Sequence, residues 1–298
     1  MHVPVLLEKV LEILDLSPGQ FVIDGTLGGG GHTREIIKRI LPKGKFLGID
    51  RDRRAIDNFK IESKSITEAN ITLVNDNYAN TRKILEDYKL GKADRLILDL
   101  GFSSDQLVSP THEGRGFSFL KSDEPLLMTY DDSTKPLREV LRELTEEEIE
   151  KVIRELSDER YSAKIAKAIF EREKKSPMER VGELVQVIKD SVPSNYEAGR
   201  INPATRTFMG LRIFVNDELG AIRKILEDLN VILKPDGIAA IISFHSIEDR
   251  LIKNLFKEME KEGQAKILTK KVIKPDWEEA KSNPRSRSSK LRAIKLVS

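Results

Sequence analysis

The sequence contains no cysteine among its 298 residues. This excludes disulfides, thiolate metal sites and a cysteine nucleophile. No apolar run reaches the length of a membrane helix, and Met1-His2-Val3-Pro4 lacks a basic segment followed by an apolar block. We therefore expect no signal peptide and a cytoplasmic protein. The chain also has almost no net charge, because its 51 Lys and Arg nearly balance its 49 Asp and Glu. Any affinity for nucleic acid must come from local clusters of cations.

Short apolar runs alternate with segments of helical periodicity, and this alternation predicts an α/β fold with a mostly parallel sheet. A hydrophobic content of 39% is enough for a packed core, and the length allows a large domain with an insertion. Helices are expected over residues 5–14, 34–40 and 53–63, and strands over residues 21–23, 45–49, 71–74, 95–100, 237–244 and 291–296.

Residues 110–205 show helical patterns only, which predicts an all-helical domain inserted into a sheet domain of residues 1–109 and 206–298. Thr145 and Glu148 have capping-box spacing, and Pro177 is expected at the first position of a later helix. After Asn202-Pro203 we expect one long helix carrying Phe208 to Leu226, then a turn over residues 234–237. Substrate recognition by the insertion is a hypothesis.

The chain is organised around the turn at residues 24–33, DGTLGGGGHT, between the first strand and a helix. Glycine lets a ligand lie against bare backbone, and the helix start offers free N–H groups. The turn lacks the Gly-Lys-Ser/Thr of a P-loop and the glycine spacing of a dinucleotide fingerprint. Its pattern is similar to motif I of S-adenosylmethionine (SAM) methyltransferases. Asp50 ends the second strand, where a carboxylate is suited to a ribose diol.

Two further side chains are expected at the carboxyl ends of strands, where doubly wound sheets bind ligands. Tyr78 follows the third strand and either stacks on an adenine or packs as a half-buried residue. Asp99 ends the fourth strand and begins Asp99-Leu100-Gly101-Phe102. That stretch matches the position, without the prolines, of the [DNS]-P-P-[YF] motif of amino-methyltransferases that act on bases.

Two features near the C-terminus are candidates for substrate contact. His245 follows the fifth strand and either orients a base or belongs to a capped helix start, where Ser246 and Asp249 have cap-pair spacing. Residues 281–298 contain six cations and no acid, and such a cluster can neutralise phosphates. We expect Arg285, Arg287 and Lys290 to contact RNA.

Together these blocks strongly resemble the bacterial small-subunit ribosomal RNA cytidine-N4 methyltransferases of the MraW/RsmH type. The resemblance covers essentially the whole chain. The matching blocks are HVPVLLE (2–8), DGT with GGGH (24–32), LDLG with SS and QL (98–107), RGFSF (115–119), NPATRTF with LRI (202–213), SFHS with EDR (243–250) and NPR with RSS (283–289). The chain departs from the family at Met128-Thr129-Tyr130-Asp131, usually Met-Arg-Met-Asp, and at Met209-Gly210, often Gln-Ala.

The resemblance implies a Rossmann-like class I SAM methyltransferase sheet with a helical insertion, acting on 16S rRNA or the small ribosomal subunit. It implies that SAM is bound by residues including Gly30, Gly31, His32, Asp50, Tyr78, Asp99 and Gln106, to which the turn itself adds Asp24 and Gly29. No membrane partner is expected. The oligomeric state is open, and a homodimer is one alternative.

The chemistry implied by this family requires no metal, because the sulfonium methyl group of SAM is already activated. None of the four histidines has metal-ligand spacing. Asp99 either accepts an N–H hydrogen bond from the target amine or holds the amino group of the cofactor. The alternatives are a SAM-dependent enzyme acting on other amines, a non-catalytic ribosome assembly factor and, more distantly, a nicotinamide-dependent oxidoreductase.

Overall fold

A seven-stranded sheet dominates the computed structural model, which describes residues 4–64, 66, 70–101 and 114–297. Its strands are β1 (Phe21–Asp24), β2 (Lys45–Asp50), β3 (Asn70–Asn75), β4 (Ala93–Asp99), β5 (Leu233–Ser243), β6 (Ala265–Ile267) and β7 (Lys290–Leu296). They lie in the order β3-β2-β1-β4-β5-β7-β6, and β7 alone runs opposite to the other six strands. This arrangement confirms the predicted Rossmann-like α/β fold.

The strand order fixes where a ligand can bind. Strand β1 lies between β2 and β4. The chain goes from β1 to β2 and β3 on one side and then crosses back to β4 on the other, so the strand order reverses beside β1. In open α/β sheets this switch point opens a crevice at the carboxyl ends of the strands. Asp24, Asp50 and Asp99 are the last residues of β1, β2 and β4. The fold therefore brings three carboxylates together at the carboxyl ends of adjacent strands.

The described helices are amphipathic and cover apolar surface. They are α1 (Leu7–Leu14), α2 (Gly31–Ile40), α3 (Arg53–Ser63), α4 (Thr81–Asp87), α5 (Leu137–Glu143), α6 (Glu146–Ser157), α7 (Ser162–Lys175), α8 (Val181–Ser191), α9 (Ala204–Val215), α10 (Glu218–Glu227), α11 (Leu229–Ile232), α12 (Ser246–Lys261) and α13 (Trp277–Ser282). Helices α1 to α3 pack on one face of the sheet, and α4 and α10 to α12 pack on the other. Each fully buried Ile or Phe contributes about 2 kcal/mol.

The chain forms two compact units, Met1–Ser103 with Leu219–Ser298, and Ser104–Glu218. The first contains the sheet. In the described part of the second the elements are helical, and they bury a core of their own that includes Ile149, Ile165 and Leu184. The capping box of Thr145 and Glu148 is present at the start of α6, as predicted.

Three local predictions are wrong or incomplete. Helix α8 begins at Val181 rather than Pro177, because the N–H of Val181 donates to Glu124 O and Pro125 forms a bridge with Arg180. The single helix expected after Pro203 is broken into α9 and α10, since Asp217 has φ 47°. The expected turn at 234–237 is a register shift inside β5.

Among the described residues no helix combines the length and the apolar character that crossing a membrane requires.

Candidate active site

The glycine turn between β1 and α2 requires glycine at two positions for different reasons. The N–H of Gly25 donates to Ile97 O at 3.0 Å, and a Cβ on Gly25 would lie 2.4 Å from Leu98. Gly30 has φ 69°, and a Cβ there would lie 2.7 Å from the ring of Phe59. Both positions are closed to larger residues by the protein's own packing, which brings bare backbone to the edge of the sheet.

Asp24 stabilises this turn through hydrogen bonds. The Thr33 hydroxyl donates to one carboxylate oxygen at 2.6 Å, and the Thr26 N–H donates to the other at 3.0 Å. Only 2% of Asp24 is exposed; burial raises its pKa, and these hydrogen bonds oppose the rise. Asp24 thus links β1 to α2, and its predicted contact with a cofactor stays a prediction.

Asp50 is held at the end of β2 by backbone groups. Its two carboxylate oxygens accept the N–H of Gly28 at 2.7 Å and the N–H of Asp52 at 2.8 Å. The amide of Asn75 donates to Asp50 O and Arg51 O, which fixes the ends of β2 and β3 together. Burial raises the pKa of Asp50 to about 6. Each carboxylate oxygen keeps a second lone pair, so the group can still accept hydroxyl donors.

Asp99 is the most exceptional group at this edge. Its Oδ1 is buried without a hydrogen-bond partner in the described part of the chain, whereas its Oδ2 lies 3.7 Å from Nδ1 of His32. Its N–H donates to Thr26 Oγ1 at 2.6 Å. Burial is the main cause that raises the Asp99 pKa to about 6, with Asp24 and Glu248 adding to the rise and His32 opposing it. A buried acceptor without a donor is expensive and indicates a ligand site.

His32 is positioned by the chain start. Its Nε2 lies 2.9 Å from Val5 O. A carbonyl only accepts, so Nε2 carries the proton of this hydrogen bond, and Nδ1 is the ring nitrogen that faces Asp99. Pro4 packs beside Gly31, where an added Cβ would lie 3.1 Å from the proline ring. Gly29 is exposed in the turn, and its carbonyl accepts from Arg34.

Two predicted cofactor residues remain, Tyr78 and Gln106. Tyr78 starts a short 3-10 helix, is partly buried against the sheet core, and has its Cβ 3.0 Å from the place of a Cβ on Gly25. Its packing role is visible, and stacking on adenine stays a prediction. Gln106 lies outside the described residues.

His245 is the N-cap of α12, so the predicted cap pair of Ser246 and Asp249 is wrong. The actual pair is His245 and Glu248, because Nδ1 of His245 accepts the Glu248 N–H at 3.3 Å. Nε2 of His245 lies 3.1 Å from Glu248 Oε1, without hydrogen-bond geometry. Glu248 is only 1% exposed and also accepts the N–H of Phe244. A base-orienting role for His245 stays a prediction.

The three cations predicted to bind RNA lie in and after a short 3-10 helix, Pro284–Ser288. Arg285 and Arg287 are exposed, and Nε of Arg287 donates to Ala280 O at 3.0 Å. Lys290 is half-buried as the first residue of β7, where the prediction had a loop. Buried Ser286 and Ser289 anchor this segment.

The arrangement suits a ligand that donates hydrogen bonds and carries positive charge. Asp50 and Asp99 offer acceptors on either side of the glycine turn, and Oδ1 of Asp99 is the one left unmatched. A nucleoside with a diol and an ammonium group, such as SAM, fits this set. Sequence patterns had not singled out Thr26, Thr33 and Glu248, which hold or polarise the carboxylates. Thr26 and Thr33 occupy the turn itself, so their spacing from Asp24 is a usable signal.

Comparison with known proteins gives matches over the whole length of the chain. Residues 1–297 match the family described as the MraW methylase family. Relatives named Ribosomal RNA small subunit methyltransferase H occur in Clostridium botulinum (strain Kyoto / Type A2), at 40% identity, and in Clostridioides difficile (strain 630), at 39%, each over 99% of both chains. A third, from Elusimicrobium minutum (strain Pei191), is 38% identical over 99% of this chain and 98% of its own.

Proposed function

The chain belongs to the MraW methylase family, and we propose that it transfers a methyl group to N4 of a cytidine in 16S ribosomal RNA. Its relatives at about 40% identity over nearly their full length make it a small-subunit ribosomal RNA methyltransferase. The choice of cytidine and of N4 is the finer proposal. The observation that carries it is Oδ1 of Asp99, a buried acceptor without a partner among the described residues.

The cofactor is S-adenosyl-L-methionine, which supplies an electrophilic methyl group on a sulfonium. Asp50 would accept the ribose hydroxyls, and the backbone of Gly30 and Gly31 would lie along the cofactor. Tyr78 would border the adenine. His32 and Asp99 lie at the opposite side of the turn, and we assign them to the end of the site where transfer occurs.

Asp99 has two chemical roles available. The amino nitrogen of cytosine is a poor nucleophile because its lone pair is delocalised into the ring. A carboxylate that accepts an N–H from this amine stabilises the charge that develops on nitrogen. Alternatively, Asp99 holds the ammonium of the cofactor and aligns the methyl group. Either role needs the ionised form of Asp99. Because the pKa of this carboxyl group is about 6, it is ionised at neutral pH.

The two roles of Asp99 can be separated with Asp99→Asn. Loss of SAM affinity with unchanged turnover at saturating SAM would assign Asp99 to the cofactor. Loss of turnover with unchanged SAM affinity would assign it to the target amine. Calorimetry for SAM binding and single-turnover transfer give the two quantities independently.

The exposed cations Arg285 and Arg287 support RNA as the substrate, since each phosphate contact adds salt-sensitive affinity. They argue against small amines as the substrate. An assembly factor without activity is disfavoured because the carboxylates and glycines of the site are intact.

The proposal is tested by giving the protein labelled SAM together with small ribosomal subunits, naked 16S rRNA and free ribosomal proteins. We expect label in RNA and none in protein. Label in protein alone would favour the amine alternative, and SAM binding without any transfer would favour the assembly factor.

A further inference from the structure

Trp277 is far more exposed to solvent than is usual for a large aromatic side chain. It is the single tryptophan of the chain and begins α13. Its residue surface is 72% exposed, although a buried indole would contribute far more to stability. The ammonium of Lys281 lies 4.8 Å from the ring centroid, one turn along the helix. This cation–π contact restrains the indole while it stays open to solvent.

The surroundings of Trp277 are strongly basic. Residues 266–295 contain ten cations and three acids, although the whole chain has a net charge of only +2. Lys270, Lys271, Lys274 and Lys281 are all exposed. Of the three acids, Asp276 accepts the N–H of Glu279, and Glu279 accepts the N–H of Leu6. Two of the ten cations are paired with acids outside the segment, Arg292 with Asp249 and Lys295 with Asp236. The segment that carries the exposed ring still has an excess of positive charge.

Hydrogen bonds connect the helix that carries Trp277 to the candidate active site. Glu279 Oε1 accepts the N–H of Leu6 at 2.6 Å, and the preceding carbonyl of Val5 accepts from His32. Pro4 packs on Gly31 in the same segment. The N-terminal segment 4–6 is therefore bonded on one side to α13 and on the other to the glycine turn. One short segment thus connects the helix that carries the exposed indole to the wall of the candidate site.

We propose that Trp277 is a stacking platform for an unpaired base of the RNA substrate, next to the nucleotide that is methylated. This inference rests on the proposed function. An aromatic ring among exposed cations is the combination that binds single strands, because bases stack and phosphates pair with lysines. The carboxylates of Asp276 and Glu278 flank the indole in sequence and are exposed, so a base face is favoured over a phosphate at the ring itself. Stacking is indifferent to sequence, so the platform would hold the strand while the site selects the target.

The single tryptophan makes this proposal directly measurable. Its emission is titrated with a single-stranded oligoribonucleotide and with a duplex of the same length. We expect saturable quenching by the single strand, weakened by salt, and little quenching by the duplex, whose bases are already stacked. An emission unchanged while fluorescence anisotropy of a labelled strand reports binding would overturn the proposal.

Three variants extend the test through anisotropy and methyl transfer. Trp277→Ala is expected to weaken single-strand binding roughly 5- to 150-fold and to raise the KM for RNA with SAM affinity unchanged. Trp277→Phe keeps a stacking face and is expected to restore most of the affinity. Tyr88→Ala removes another exposed aromatic of the same unit, 52% exposed, and is expected to bind as the wild type.

The outcomes separate this inference from the proposed function. If the wild type methylates ribosomal RNA and Trp277→Ala does so with the same KM, the platform is refuted and the enzyme remains. If single strands quench Trp277 and the alanine variant binds weakly, but no RNA is methylated, the platform stands and the proposed function fails. Absence of both quenching and methylation refutes both.

Discussion

At the scale of single residues, Asp99 is placed for chemistry at a cost in stability. Its Oδ1 has no partner among the described residues, and Asp24 and Glu248 oppose its ionisation. A carboxylate with one buried, unpaired oxygen is unfavourable in such surroundings unless a ligand supplies the missing donor. The same features that raise its pKa make it ready to accept a hydrogen bond from an ammonium or an amine.

Asp99→Asn is therefore expected to stabilise the ligand-free protein at about pH 8. Because the folded pKa of about 6 lies above the ordinary 3.8, the free energy of unfolding falls as pH rises through this window and stays lower above it. The asparagine variant lacks this loss, so it gains on the order of 2 kcal/mol at about pH 8 and almost nothing at about pH 4. Denaturant unfolding at the two pH values measures the difference.

Asp50 gives the matched control for this experiment. Its pKa is also raised to about 6, but its oxygens accept the backbone N–H groups of Gly28 and Asp52. Asp50→Asn exchanges one acceptor for a donor and so loses stability through those bonds. An Asp99→Asn protein that is less stable than the wild type at both pH values would contradict the reasoning for Asp99.

His245 offers a second residue-level prediction, because its capping role can be kept while the imidazole is removed. Asparagine is among the best N-cap residues, whereas alanine cannot accept the Glu248 N–H. His245→Ala is expected to lose about 1 kcal/mol of stability, and His245→Asn is expected to lose much less. Thermal unfolding measures both. Methyl transfer by the stable asparagine variant then decides the base-orienting role: full turnover excludes it, and lost turnover supports it.

At the scale of elements, the glycine turn is set by packing as much as by the ligand. Gly30 combines φ 69° with a ring of Phe59 that a Cβ would meet at 2.7 Å. Gly91 has φ 77° and nothing within 4 Å of a Cβ. The pair therefore separates backbone strain from steric overlap.

Gly91→Ala is expected to cost about 1 kcal/mol, which is the left-handed backbone penalty alone. Gly30→Ala is expected to cost about 2–4 kcal/mol, because overpacking against Phe59 is added, and to weaken SAM binding. Denaturant unfolding and calorimetry provide the two measurements. Equal destabilisation by the two substitutions would show that the Phe59 contact is relieved without cost.

The strands and helices also show what sequence patterns can predict. Strands β1 to β4 were predicted within two residues of their ends, and α3 was predicted at its observed bounds, because each has its own apolar period. The break between α9 and α10 was missed. Asn216 there bonds Met128 O and Tyr130 N, which are 88 and 86 residues away in sequence. No local pattern contains those partners.

Some features of the candidate site follow from local sequence patterns, and others do not. Asp50 and Asp99 were predicted because an acid at the end of an apolar strand is a local pattern. The unmatched Oδ1 of Asp99 and the cap formed by His245 depend on which atoms meet in three dimensions. The sequence also left the two roles of Tyr78 open, and its packing against the core is visible only in the structure.

At the scale of the whole molecule, charge is distributed unevenly although the net charge is only +2. Residues 266–295, with ten cations and three acids, have a net charge of +7, so the rest of the chain is net acidic. This segment would attract RNA to the part of the sheet unit that also holds the N-terminal segment beside the glycine turn. Binding should therefore weaken steeply with salt.

Replacing Arg285 and Arg287 by alanine is expected to reduce the slope of log affinity against log salt by about 1.4–1.8, or about 0.7–0.9 for each phosphate contact. Arg287 also donates to Ala280 O, so Arg285→Ala alone, with an expected loss of about 0.7–0.9, guards against a folding defect. Replacing the exposed Lys60 and Lys83 of the same unit is the control. An unchanged slope for the arginine variants would remove them from the RNA contact.

The most direct test is the identity of the product. Small ribosomal subunits that lack the modification are incubated with the protein and S-adenosyl-L-methionine, and their RNA is digested to nucleosides for mass spectrometry. We expect N4-methylcytidine to appear with the wild type. If Asp99 accepts the target N–H in the transition state, Asp99→Asn is expected to form it at least about a hundredfold more slowly at saturating S-adenosyl-L-methionine. A methyl group found only on carbon 5, on ribose or on another base would contradict the assignment of this site to the cytidine amine.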